Sequence, residues 1–219
     1  VLYSQYKNND RVIFKMPRIN NSNIKNENTL ISEIGEITKN TITDTYFNVV
    51  NSYYVNFLYN KGVKKVTLSY ELTIENIENL IKNYKNKYNE EPNLEVVIYG
   101  KPELMISEYC PIGSTFGGRK TNVDCNAICT RDKFTLIDRV NERLRVMTDL
   151  FCRSYILNPV PLNLFDERTY LKEAGIKTLR FDFRDESYEE VKNVYNMYLS
   201  KMEYDKSNYT KGQFRRGIE

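Results

Sequence analysis

The stretch GVKKVTLSYELTIENIENLIKNYKNKYNEEPNLEVVIYG, residues 62–100, decides the fold class. Gly62 stands where a preceding helix needs a C-cap, because the residue past a helix end often takes the left-handed conformation that glycine adopts without strain. Val63–Ser69 reads as a strand. Thr73 is a helix N-cap, and Ile74, Ile77, Leu80, Ile81 and Tyr84 recur behind it at helical spacing. The helix runs out in a Lys/Asn-rich, solvated stretch, and Pro92 resets the chain. Leu94–Tyr99 is then a short continuous apolar run of the kind buried in a parallel sheet. Strand, helix and strand at this length make a βαβ unit.

The same alternation extends both ways. Upstream, Arg11–Ile19, Thr29–Ile34 and Thr41–Tyr46 are strand-like, and Phe47–Asn60 carries Val50, Tyr53, Tyr54, Phe57 and Leu58 at helical spacing. Downstream, Tyr155–Leu164 is extended and broken by Pro159 and Pro161, Asp166–Ala174 is a short helix, and Lys177–Phe183 is a strand. Ser187–Lys201 is a closing helix with Tyr188, Val191, Val194, Tyr195, Tyr198 and Leu199 as its apolar side. Between Gly100 and about Ser154 the pattern breaks into a small module with a hairpin, Phe134–Val140 and Arg143–Thr148. Neither GxGxxG nor a Walker A loop is present, so neither nucleotide fold has its signature. A full (β/α)₈ barrel takes about 250 residues, more than the strand–helix units here supply. The expected fold is therefore α/β: the later part of a TIM-type (β/α) barrel with a small inserted Cys-rich β module. Residues 1–100 and 155–202 form the partial barrel, 101–154 the insert and 203–219 a polar tail. The chain starts without Met and in mid-pattern, so a missing amino-terminal half of the same protein is an expected partner.

Composition narrows the chemistry. The chain has 219 residues, a net charge of +3, four Cys, and no His or Trp. Without His, Ser-His-Asp and Cys-His nucleophiles, HExxH zinc sites and Cys₂His₂ fingers are excluded from this chain. Catalysis must use carboxylates, Lys, Arg, Tyr, Cys or a bound cofactor. A charge of +3 is too small to argue for nucleic acid by itself. No apolar run approaches a membrane span, so no membrane partner is expected. The cysteine usage suits a reducing, cytoplasmic setting.

Cys110, Cys125, Cys129 and Cys152 all fall inside the proposed insert. Four thiols gathered in one module of an otherwise cysteine-free chain suggest one tetradentate site, and thiolates suit zinc or an iron–sulfur cluster. Zinc ribbons use two close CxxC knuckles, whereas only Cys125 and Cys129 are close here. Unrelated buried cysteines and disulfides remain the alternatives.

Several segments carry a resemblance. Leu94–Gly113 (LEVVIYGKPELMISEYCPIG), Asp149–Pro159 (DLFCRSYILNP), Leu179–Glu186 (LRFDFRDE) and Tyr209–Ile218 (YTKGQFRRGI) resemble the carboxyl-terminal half of the collagenase-like peptidase family U32. Thr43–Leu72, with TDTYFNVVNS and VTLSYEL, is similar to that family's barrel segments. The resemblance implies a TIM-type barrel. It also implies one of two activities. Some members are named proteases, with no established mechanism; others hydroxylate tRNA or ribosomal RNA or support ubiquinone synthesis. Several of the latter carry a [4Fe–4S] cluster, whose ligands here would be Cys110, Cys125, Cys129 and Cys152. Relatives often place His where this chain has Tyr109 and Gln213, so a proton-carrying role would be lost or pass to Tyr109.

Other candidates follow from position. Glu71 and Glu108 sit where strand ends meet loops, a catalytic position in barrels, with surface ion pairing as the alternative. Arg119, Arg153 and Arg180 are candidate contacts to an anionic substrate or RNA phosphate. Asp182 is a candidate partner for a buried Arg180. Three functions are weighed: a cluster-binding protein that modifies RNA or a small molecule, a peptidase acting on a peptide substrate, and a non-catalytic zinc-stabilised module.

Overall fold

A computed structural model describes residues 5–6, 8–21, 25–119, 124–200 and 205–216. In chain order the strands and helices are β1 (Leu30–Ile31), β2 (Thr41–Thr43), α1 (Ser52–Asn60), β3 (Val63–Thr67), α2 (Ile74–Tyr88), β4 (Leu94–Gly100), β5 (Glu103–Ser107) and α3 (Pro111–Thr115). They continue as β6 (Phe134–Ile137), β7 (Arg143–Thr148), β8 (Ser154–Leu157), β9 (Leu162–Asn163), α4 (Arg168–Ala174), β10 (Thr178–Asp182) and α5 (Tyr188–Ser200). The chain divides into two compact units: Val1–Ile98 with Leu164–Phe181 and Lys211–Glu219, and Tyr99–Asn163 with Asp182–Thr210.

In the first unit the sheet order is β1-β2-β3-β4-β10, with parallel pairing from β1 to β4. Consecutive strands are neighbours, unlike a doubly wound sheet, whose order reverses at a switch point. The chain is thus α/β with a parallel sheet, and among the described residues no pairing joins β1 to β10. The expected βαβ unit is present. Thr73 Oγ1 accepts the Asn76 N–H at 3.1 Å, Ile77, Leu80, Ile81 and Tyr84 are buried, and β4 is buried along its length. Gly62 has φ +104°, as a helix-terminating glycine should.

Two expectations differ in detail. Helix α1 starts at Ser52, capped by Asn51, and buries Ser52, Val55 and Leu58 while Tyr53 and Phe57 are exposed. Apolar residues surround this helix on most sides, so spacing alone does not select the packed face. Arg11–Ile19 contributes a single bridge, Lys15 to Leu30, rather than a strand. Pro17 has no N–H with which to continue the ladder. The end of the chain also packs: Phe214 is buried, and its carbonyl accepts the Ile74 N–H.

The second unit holds an antiparallel sheet in the order β5-β8-β7-β6. Its β6–β7 hairpin matches the expected one, closed by a turn in which the Asp138 N–H reaches the Glu142 carbonyl. β9 pairs antiparallel with the last residues of β4. There Gly100 has φ +141°, and a Cβ on it would stand 2.5 Å from the Asp182 carbonyl oxygen, so glycine alone fits. Helix α5 buries Val194, whereas Tyr188, Tyr195 and Leu199 of its expected apolar side are exposed. Among the described residues no helix is long and apolar enough to cross a membrane.

Candidate functional site

Cys110 and Cys152 flank the end of the β5–β8 ladder. Ser107 pairs with Ser154, and the chain continues from the first to Cys110 and leads from Cys152 into the second. Cys110 is the N-cap of α3, with Sγ accepting the Gly113 N–H at 3.3 Å and Pro111 opening the helix. It is buried in an apolar cluster with Ile112 and Val146, against which Ile128, Cys129, Phe134 and Cys152 pack. Cys125 is exposed. A Cβ on Gly113 would lie 3.4 Å from the Cys110 sulfur and 3.5 Å from the Cys125 sulfur, so the two sulfurs stand no further apart than those distances together. A Cβ on Gly117 would meet the Cys125 sulfur at 2.7 Å and the Gly113 Cα at 2.8 Å. Two glycines therefore make room for two thiols. All four thiols are free of disulfides.

Cys152 is presented by a turn built on Asp149. The Asp149 carboxylate accepts the N–H groups of Phe151 and Arg153 at 2.8 and 2.9 Å and the Tyr155 hydroxyl at 2.9 Å. The Cys152 N–H donates to the Asp149 carbonyl, and Cys152 takes φ +60°, an uncommon conformation for a residue with a Cβ. Burial, reinforced by the Asp149 hydrogen bond, holds the Tyr155 phenol far above its usual range.

Among the described residues no group of three or more His, Cys, Asp or Glu side chains is set to hold a metal ion. Four thiolates around one zinc at bonds of about 2.3 Å must nearly touch one another. A cuboidal iron–sulfur cluster holds its four thiolates on separate irons and further apart. Thiol donors, the apolar surroundings of Cys110 and the room left by Gly113 and Gly117 suit such a group by their chemistry.

The other candidates fall in different places. Glu108 is exposed and accepts from Arg153 Nε at 2.9 Å; Tyr109 is exposed, with its hydroxyl 2.5 Å from Ser114 Oγ. Arg153 is buried, 1% exposed, also lying 3.6 Å from Asp149 Oδ2 and over the Phe151 ring. Arg119 is half-buried, its Cδ 3.2 Å from where a Gly113 Cβ would be. These belong to the second unit. Glu71 and Arg180 belong to the first, where Glu71 is exposed and its N–H donates to Ser69 Oγ. A cavity of about 400 Å³ in the second unit is lined by Tyr99, Lys101, Asp185, Glu186, Glu190 and Tyr209, none of them an expected site residue.

Arg180 is the centre of a network that sequence reading missed. Its Nη2 donates to Asp44 Oδ1 at 2.5 Å and its Nη1 to Glu95 Oε1 at 3.0 Å. Lys15 stands 2.6 Å from Asp44 Oδ2, Thr67 Oγ1 donates to Glu95, and Thr43 Oγ1 accepts the Thr67 N–H. The expected partner, Asp182, instead accepts from Arg184 at 3.2 Å. Burial would raise the Asp44 pKa, but Lys15 and Arg180 outweigh it and hold the carboxyl well below the usual range. Thr43, Thr67 and Glu95 are all buried, so one face of this parallel sheet is polar and charged. The available signal was three isolated charges inside apolar strand runs, each of which requires a partner when buried.

A sequence profile described as peptidase family U32 matches residues 31–218. The chain belongs to that family. One relative, named an uncharacterized protease of Methanocaldococcus jannaschii, is 29% identical over 178 residues, covering 77% of this chain and 42% of the relative. The chain thus spans less than half of that protein's length. No solved structure matches.

Proposed function

We propose that this U32 chain holds a [4Fe–4S] cluster on Cys110, Cys125, Cys129 and Cys152 and takes part in hydroxylating or otherwise modifying RNA or a small molecule. The observation that carries the reading is the convergence of thiols: Cys129 and Cys152 pack on the apolar cluster that buries Cys110, while Cys110 and Cys125 share the Gly113 floor. When bound, the group would supply one-electron transfer. The chain's own part is to hold it. The Gly113 N–H donates to the Cys110 sulfur, and Ile112, Val146, Ile128 and Phe134 limit water beside it. Arg119, on the same glycine floor, is the candidate contact for an anionic substrate. A reducing compartment suits these free thiols.

The test is to purify the protein without oxygen and measure iron, sulfide, zinc and the visible spectrum together. Brown protein that loses its colour and iron on Cys125→Ser or Cys129→Ser supports the reading. Colourless protein with stoichiometric zinc replaces it with a zinc-stabilised module.

A peptidase reading is favoured by the name of the archaeal relative. Glu71, exposed beyond the β3 strand, is its candidate water-activating carboxylate. Gelatin hydrolysis that survives rigorous purification and disappears in Glu71→Gln would establish it.

A further inference from the structure

The β5–β8 ladder ends at Ser107 and Ser154, so Cys110 and Cys152 lie beyond its last pair, where Cys152 packs on the cluster that buries Cys110. Arg153 adds a polar tie between the two segments. Arg153 follows Cys152 directly, and its Nε donates to Glu108, two residues before Cys110, at 2.9 Å. Its Nη1 lies 3.6 Å from Asp149, the residue that shapes the Cys152 turn. The Arg153 side chain is 1% exposed, among the largest fully buried side chains of the described residues, while Glu108 is 71% exposed. A buried cation is tolerated only where carboxylates neutralise it, and removing a partner from such a pair is costly. The planar guanidinium adds direction that a lysine ammonium lacks. Here the two carboxylates stand on the two chain segments that carry the cysteines.

We infer that Arg153, held between Glu108 and Asp149, is the positioning residue that fixes the Cys110 and Cys152 segments against each other. This explains why an arginine is buried in so small a unit, and it makes Arg153 a brace rather than a contact to substrate. The inference rests on the cysteine reading only for its purpose. The clamp itself is a property of the chain without any bound group.

The experiment therefore reads the thiols directly. The full chain, freed of metal, is labelled with a maleimide, and the rate at each of the four cysteines is followed by mass spectrometry. Arg153→Met is expected to raise the rates at Cys110 and Cys152 by about tenfold or more, because losing the clamp lowers the local opening free energy, while Cys125 and Cys129 change little. Arg153→Lys, which keeps the charge but not the fork, should fall between wild type and Arg153→Met. Glu108→Gln, which keeps the size of an exposed side chain and removes only its charge, should accelerate Cys110 in preference to Cys125. Equal acceleration of all four thiols in Glu108→Gln, or unchanged rates at Cys110 and Cys152 in both Arg153→Met and Glu108→Gln, overturns the inference. Iron binding is measured on the same samples. A wild-type chain that takes up no iron and sulfide, together with selective acceleration in the variants, defeats the cluster reading and leaves the clamp standing.

Discussion

Arg180 and Asp44 form a short ion pair, 2.5 Å from Nη2 to Oδ1, between the last strand of the parallel sheet and the residue after its second strand. They lie 136 positions apart in the sequence, so the pair cross-links the first unit's β2 and β10 ends. Asp44 is 1% exposed and is also met by Lys15. Two cations converge on one buried carboxylate, with Glu95 as second anion for Arg180.

Asp44→Asn is expected to destabilise the protein by about 3–5 kcal/mol, since it leaves Arg180 and Lys15 facing a neutral side chain. The measurement is urea unfolding, with a lower midpoint and an unchanged slope. A midpoint within error of wild type would show the network to be idle.

The pH dependence follows from the same carboxylates. In Asp44, Glu167 and Asp185 burial opposes ionisation, yet Lys15 with Arg180, Arg215 with Lys211, and Arg145 respectively hold the pKa below its usual value. Unfolded carboxyls titrate near about 3.9–4.3. A depressed folded pKa gives stability that is present above the unfolded value and lost as pH falls through the folded one. The thermal midpoint should therefore hold steady above about pH 5 and drop progressively below about pH 4. Asp44→Asn should drop less steeply; a midpoint that rises on acidification would contradict the assignment.

Gly117→Ala should disturb the cysteine site selectively. The added methyl meets the Cys125 sulfur and the Gly113 backbone at distances that real contacts do not show, so Cys125 or Gly113 must shift. A stability loss of about 1–3 kcal/mol is expected, as for other overpacked sites. On the proposed cluster reading, iron uptake under anaerobic reconstitution should fall well below wild type while the far-ultraviolet circular dichroism stays the same. Full uptake would mean that the floor tolerates a side chain.

Glu167 ties down the end of the chain: it is 2% exposed and takes Lys211 on Oε1 and Arg215 on both oxygens. Glu167→Gln is expected to loosen residues 205–216, seen as faster tryptic cleavage after Lys211 and Arg215 with little change at other sites. Cleavage at the wild-type rate would show that the Thr210 bridge to Leu162 and the buried Phe214 anchor this segment without Glu167.

The βαβ unit was legible because cap, stripe and breaker agree locally: Thr73, the Ile77–Tyr84 face and Pro92 all speak for the same boundaries. Helix α1 was legible as a helix but not in its orientation, since its apolar residues encircle it. The packing of Cys129 and Cys152 beside Cys110 was legible from their concentration in one stretch. The means were not: β5 is short and half-exposed, and its pairing with β8 is a long-range event without a local signature. The Asp44–Glu95–Arg180 network was hidden for the same reason, its partners being 85 and 136 positions apart. A solvated tail was the natural reading of residues 203–219 from their polarity, and one Phe with two basic residues around a buried Glu was enough to bring part of it back.

The ladder that brings Ser107 beside Ser154 has a consequence for recognising kindred sequences. The loops and hairpin between these two residues can lengthen or shorten without moving the strand ends that carry Cys110 and Cys152. The number of residues between the first and last cysteine is then a poor search key. Their offsets from the paired serines, three positions after one and two before the other, are the quantity that a chain building this site has reason to keep.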